Sequence, residues 1–489
     1  MASTRMRRAG LAASAAVLIG ALTVSCSSRT SIPPAGLVGS VEAQLGDASG
    51  IHLIRHVIVV MQENRSFDNY FATFPGADGI PMKDGVPTAC IPDALVGHCV
   101  HPFHDRSLID DGGPHSDAAA RLDVDHGRMD GFVRMALRGR LAYCTTRRTA
   151  PQCTGTHSHA RVPDSIGYHT AAEIPNYWAY AKHFVLQDHM FEGVRSWSEP
   201  AHLDMVSGWS ASCENPSDPM SCHTQLDQRD DHHGQIPNQD GQPPFAWTDL
   251  SYLLFTHHIS WRYFVQRGSQ PDCGDQAMFC PYRGQTVDTP DIWNPLPKFR
   301  TVHQDHQLRN VQVARAYFRD ARQGTLPNVT WIVPNGRDSE HPPASIANGQ
   351  AWVTKIVDAA MRGPEWDSTA IFLSWDDWGG FYDHVPPPNA NPQGFGLRVP
   401  GLVISPYART GYIDHQELST DSYLRFIEDD FLNGQRLDPT TDGRPDSRPF
   451  VAEETPGLGD LIADFDFTQP PRPPLLLPPR PTAADRRAR

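Results

Sequence analysis

Five short apolar runs, at 56–60 (His-Val-Ile-Val-Val), 184–186, 329–333, 370–373 and 402–404, set the tightest limit on what this chain can fold into. They are apolar throughout rather than alternating, which is the pattern of strands buried on both faces. Between them lie helix-like stretches, such as 351–361 after Asn348-Gly349 and 422–431 after Thr420-Asp421. Strands alternating with helices predict an α/β fold, a mostly parallel central sheet with helices on both faces. Residues 205–250 and 265–300 are rich in Gln, Asp, Pro and Cys and read as disulfide-braced insertions.

With 489 residues, 39% hydrophobic, the chain can bury a large core, and one catalytic-size domain over 51–440 is expected. The 56 acidic residues exceed the 42 Lys and Arg by 14, and Arg5, Arg7 and Arg8 lie in a leader, leaving 17 excess negative charges beyond it. Nucleic acid is not an expected partner, because counterion release needs clustered cations. From Gln469 the chain is Pro and Arg rich, so 441–489 reads as a C-terminal extension ending in a disordered tail.

Arg5-Met-Arg-Arg8, the small and apolar run 9–24, and Ser25-Cys26-Ser27-Ser28 describe an export signal over 1–25, followed by a flexible tether over 26–50. The run is too short to span a bilayer and no later segment approaches the roughly 20 residues needed, so no transmembrane span is expected beyond the leader. Eight of the nine cysteines pair sequentially at separations of nine, nine, nine and seven: Cys90-Cys99, Cys144-Cys153, Cys213-Cys222 and Cys273-Cys280. Four local disulfides are expected in an oxidising compartment, since zinc-ribbon spacing is lacking. Cys26 is left over directly after the apolar run, which predicts either a lipidated cell-envelope protein or a secreted one cleaved nearby.

In an open α/β sheet, ligands bind beyond the carboxyl ends of the strands. Two segments place acids there: Met61-Gln-Glu-Asn-Arg-Ser-Phe-Asp68 and Ser374-Trp-Asp-Asp-Trp-Gly-Gly-Phe-Tyr-Asp-His384. Adjacent carboxylates repel unless a cation or proton holds them, so Glu63, Asn64, Asp376 and Asp377 are candidate ligands of a hard divalent metal. Gly379-Gly380 would let backbone approach a ligand, and His384 is near enough in sequence to reach the same cleft.

The segment 56–71, His-Val-Ile-Val-Val-Met-Gln-Glu-Asn-Arg-Ser-Phe-Asp-Asn-Tyr-Phe, resembles the opening motif of the bacterial phosphoesterase family that contains phosphatidylcholine-type phospholipases C and an acid phosphatase branch. The resemblance continues in order through Met129-Asp-Gly-Phe132, 184–208, Ser339-Glu-His-Pro-Pro343, 375–385, Arg398-Val-Pro400, Ile404-Ser-Pro406 and Phe426-Ile-Glu428. It implies an alkaline-phosphatase-like fold and metal-assisted attack on phosphorus by a hydroxyl. The implied nucleophile, two residues before a proline, is Ser198 in Ser198-Glu199-Pro200, with Ser196 as rival; Ser198 would also bind the metal beside Glu63, Asn64, Asp376 and Asp377. His115, His126, His341 and His384 fall in family blocks and would donate to phosphate or protonate the leaving oxygen.

The expected function is an extracytoplasmic, metal-dependent hydrolase of phosphate esters, of phospholipase C type, with phospholipid at a membrane surface as a candidate substrate. A broad acid phosphatase acting on phosphomonoesters is the alternative, and a lipid-tethered binding module on an inactive enzyme fold is the reading of another class.

Overall fold

The computed structural model describes residues 49–150, 153–154, 163–227, 243–271, 279–288 and 291–482. Its centre is an eight-stranded sheet. In chain order the strands are β1 (His56–Gln62), β2 (Val185–Gln187), β3 (Trp261–Val265), β4 (Val311–Val313), β5 (Val329–Val333), β6 (Thr369–Trp375), β7 (Gly401–Ile404) and β8 (Tyr412–Asp414). Their spatial order is β4-β3-β5-β1-β6-β7-β2-β8. All pairs are parallel except β6-β7 and β7-β2, so β7 alone runs against the rest. Every residue of β5, β6 and β7 is buried, and so is β1 after His56. Since successive side chains point to opposite faces, both faces of the sheet are covered. The expected α/β class with a mostly parallel sheet is the one observed.

The helix Ile346–Arg362 begins earlier than Asn348-Gly349 suggested. Gly349 is no breaker there: a Cβ on it would lie 2.1 Å from Glu340 Cγ, so glycine is required for packing inside the helix. The helix Thr420–Phe431 starts with Ser419 and Ser422 exchanging a capping box.

Three expected disulfides are present, Cys90–Cys99, Cys144–Cys153 and Cys213–Cys222. The first and third staple short hairpins, with Cys213 directly opposite Cys222. Cys280 is disulfide-bonded, while its expected partner Cys273 lies outside the described residues, as do Cys26, the export signal and nearly all of the tether.

The C-terminal extension corrects the sequence reading. Arg448 is buried and donates to the carbonyls of Ser207, Leu437 and Thr248, which makes the extension integral to the domain. The proline-rich segment is not a disordered tail up to residue 482. Trp366 Nε1 donates to Arg472 O, Leu477 N donates to Asp358 Oδ1, and Asn176 Nδ2 donates to Pro478 O. The segment docks through bonds in both directions, its Arg472 and Pro478 carbonyls accepting and its Leu477 N and Arg472 side chain donating.

Candidate active site

β1 and β6 are parallel neighbours in the register Gln62↔Trp375, so the residues that follow them emerge side by side. Asp376 N donates to Gln62 O at 2.9 Å, which sets Glu63-Asn64 against Asp376-Asp377 at the carboxyl ends of the strands. Asn64 turns the chain with φ 61°. Its amide N donates to Asp376 Oδ1 (2.9 Å) and its Nδ2 to Asp377 Oδ1 (2.7 Å). Asp377 Oδ1 also accepts from Gly379 N at 2.7 Å. The paired acids are therefore held in place by backbone and amide donors.

The third contributor is the helix Ser198–Ser207, with Ser198 as its first residue and no side chain capping it. The first N–H groups of a helix lack intrahelical partners and carry its positive end, a setting suited to phosphate oxygens. Ser198 Oγ lies 3.1 Å from Glu63 Oε2 and 3.2 Å from Asp377 Oδ2. A hydroxyl has one proton and cannot satisfy two carboxylates at once. Ser196, two residues earlier, donates instead to the Leu226 carbonyl, so the geometry separates the two serines. One turn beyond Ser198, His202 sets Nε2 3.0 Å from Glu63 Oε1. The i, i+4 spacing from Ser198 was the available sequence signal for His202, and sequence reasoning missed it.

These residues suit a divalent cation. Glu63, His202 and Asp376 each offer a ligand atom within 4.8 Å of the others. Asn64 Oδ1 is fully buried with no hydrogen-bond partner among the described residues. Excess negative charge is evident next door: Glu192, which accepts from Trp378 N at 2.9 Å, has its carboxyl pushed well above the ordinary range, first by burial and then by the Asp377 and Asp376 charges. Glu192 is a further site neighbour, inside the 184–208 block but not among the expected site residues.

Residues 54–432 match the model of the Phosphoesterase family. The chain belongs to that family, whose members hydrolyse phosphoric esters. Among relatives, the non-hemolytic phospholipase C of Pseudomonas aeruginosa is 26% identical over 96% of this chain, which spans 65% of that protein's length. Phospholipase C A of Mycobacterium tuberculosis is 26% identical over 86% of this chain and 78% of its own. A crystal structure of an alkaline phosphatase superfamily protein from Vibrio parahaemolyticus is 11% identical and covers 57% of this chain and 65% of that one, with a TM-score of 0.31.

The four expected histidines separate. His115 and His341 face each other with ring centroids 5.8 Å apart, and His115 packs edge-on to Trp378, the residue after Asp377. Both imidazoles are buried, and their link to the paired acids runs through the Trp378 ring. His126 is not brought to the site: it is exposed on a left-handed turn at the end of the helix Asp117–Val124. His384 is not there either. Its Nδ1 lies 2.8 Å from Asp68 Oδ2, in a second group with Asp383. Burial disfavours its charged form, but Asp68 and Asp383 outweigh that and hold the imidazole above its ordinary value. Arg398 supplies the cation of this group, donating to Asp383 Oδ1 at 2.9 Å and Asp68 Oδ1 at 3.2 Å. Gly379-Gly380 also serves another purpose than the one expected. A Cβ on Gly379 would lie 2.7 Å from Asn64 Cβ and O, and one on Gly380 2.4 Å from Gly113 Cα, so the close approach is between site loops.

Proposed function

We propose that this protein is an extracytoplasmic, metal-dependent phosphoesterase of phospholipase C type, with Ser198 as nucleophile. The observation that carries the reading is the Ser198 hydroxyl, held between the Glu63 and Asp377 carboxylates at an uncapped helix N-terminus. A divalent ion bound by Glu63, Asn64, Asp376 and Asp377, with His202 holding Glu63, would supply a Lewis acid that makes the serine oxygen a competent nucleophile at neutral pH. In the proposed reaction the Ser198 Oγ–P bond forms as the bond from phosphorus to the ester oxygen breaks. The serine proton passes to the carboxylate beside it, and the departing alcohol oxygen takes a proton from His115 or His341. Phosphoryl oxygens gather charge in this step, and the backbone N–H groups of Ser198 and Glu199, ahead of Pro200 at the head of the helix, would donate to them. Water then cleaves the phosphoseryl ester, restoring the hydroxyl and releasing the phosphorylated head group.

The test is hydrolysis of a phosphomonoester and of a phosphorylcholine diester by the purified protein, with and without chelator, beside Ser198→Ala. Diester cleavage that chelator and Ser198→Ala both abolish is expected. Activity that survives either treatment overturns the mechanism, and a monoester-only activity replaces phospholipase with acid phosphatase. Export and a Cys26 anchor belong to the same reading, and mass analysis of the mature N-terminus checks them: a start at an unmodified residue other than Cys26 excludes the anchor.

A further inference from the structure

Of the fourteen large apolar side chains exposed among the described residues, eight fall between positions 82 and 141. Leu95 (69% exposed) and Val96 sit at the tip of the hairpin stapled by Cys90–Cys99. Leu141 (71% exposed) stands on the helix Phe132–Thr146, which packs against the Ile91–Asp93 strand of that hairpin. Isolated exposed apolar residues need no explanation, but a concentration of them does.

The same helix is cationic. Residues 131–153 hold five arginines (Arg134, Arg138, Arg140, Arg147 and Arg148) and no Asp or Glu, in a chain whose net charge is −14. Arg134, Arg138 and Leu141 follow at i, i+4 and i+7, on one helix face. Among the described residues none of the five arginines has an ion-pair partner: Arg134 donates to the Leu122 carbonyl, Arg138 to Met135 Sδ, and Arg147 lies over the Tyr143 ring. Exposed cations flanking exposed aliphatic side chains match an anionic bilayer surface, with phosphate for the guanidinium groups and the upper acyl region for the leucines.

This excursion is coupled to the site. It has its own small core, in which Ile91, Phe132, Val133 and Met135 pack with Trp378 and Tyr382 of the Asp376-Asp377 loop. It also carries His115, and Gly113 N donates to Gly379 O at 2.8 Å.

We infer that the hairpin tip at Leu95-Val96 and the arginine face of the Phe132–Thr146 helix form a docking surface for anionic phospholipid bilayers, delivering lipid to the neighbouring site. As a delivery surface it rests on the phospholipase reading; as a binding surface it is tested separately. The probes are vesicles of phosphatidylcholine alone and of phosphatidylcholine mixed with phosphatidylglycerol, sedimented with the purified full chain at low and high salt. Salt-sensitive binding to the mixed vesicles is expected. It should weaken about tenfold or more in Arg134→Gln/Arg138→Gln/Arg147→Gln and in Leu95→Ser/Leu141→Ser. Removing the same number of charges elsewhere, in Arg315→Gln/Arg322→Gln/Lys355→Gln, should leave it unchanged. Hydrolysis of a water-soluble phosphodiester should be equal in all of these proteins, with only vesicle hydrolysis falling in the docking variants. Equal vesicle binding by wild type and docking variants overturns the proposal, as does equal loss in the control triple or tighter binding to a soluble polyanion such as heparin. Residue-specific vesicle binding without hydrolysis of any ester would instead sink the phospholipase reading and leave the docking surface standing.

Discussion

His202 Nε2 lies 3.0 Å from Glu63 Oε1, one helical turn beyond Ser198, so a single helix delivers both the hydroxyl and an imidazole to the same carboxylate. Both side chains are fully buried, and His202 holds Glu63 Oε1 while Ser198 lies at Oε2. His202→Ala should lower both metal affinity and kcat/KM by about 10- to 100-fold, the usual cost of losing a partner of a metal-binding carboxylate. Equilibrium dialysis and steady-state kinetics would measure the two. A variant with wild-type metal affinity and rate would reduce His202 to a packing residue.

The loop that carries the paired acids depends on a residue without a side chain. Gly379 has φ 61°, and any Cβ there would press on Asn64. Gly379→Ala should cost about 1–3 kcal/mol of stability and displace Asn64, lowering activity with it. Gly127 provides the comparison, because it has φ 86° with nothing near its missing Cβ. Gly127→Ala should carry only the smaller backbone cost. Similar melting temperatures for the two variants would mean that contact with Asn64 does not matter.

What could be read in the sequence follows from the range of each signal. The strands at 56–60, 329–333, 370–373 and 402–404 announced themselves because burial on both faces leaves an uninterrupted apolar run. β1 and β6 being neighbours then explains why two acidic loops far apart in sequence converge. The outer strands β4 and β8 are three residues long and too short for any pattern. His384 misled for the opposite reason. It lies seven residues after Asp377, but the turn at Gly379-Gly380 sends the chain to Asp68 and Arg398. The packing of 469–482 was invisible because it depends on single long-range bonds, such as those Arg472 donates to the His183 and Ala408 carbonyls, rather than on hydrophobic periodicity.

Arg398 is where the two site loops are tied together. Its guanidinium is fully buried, 4.6 Å over the Phe67 ring; it bonds to Asp383 and Asp68 and donates through Nη1 to the Asp78 and Asp188 carbonyls, both at 2.8 Å. Arg398→Met would strand two buried carboxylates, at a cost of about 3–5 kcal/mol. Arg398→Lys should recover little of this, since an ammonium cannot reach four acceptors in a planar fork. Urea unfolding would check both, and a lysine variant as stable as wild type would contradict the role given to the fork.

Glu340 gives a pH dependence of defined sign. It is buried, accepts from Tyr70 Oη and Tyr177 Oη at 2.6 Å and from Trp375 Nε1 at 3.0 Å, and burial raises its carboxyl from 4.5 to about 7. Between those values the folded protein holds a proton that the unfolded chain has released. Stability from this group is therefore complete below about pH 4.5 and declines as pH rises to about 7, by a total on the order of 3 kcal/mol. Glu340→Gln keeps the shape and an acceptor oxygen but cannot ionise. Other buried carboxyls titrate alike in both proteins, so the difference between them isolates Glu340. Unfolding free energies at pH 5 and pH 8 should fall more steeply in the wild type than in Glu340→Gln, and parallel profiles would show that Glu340 does not hold its proton in the folded protein.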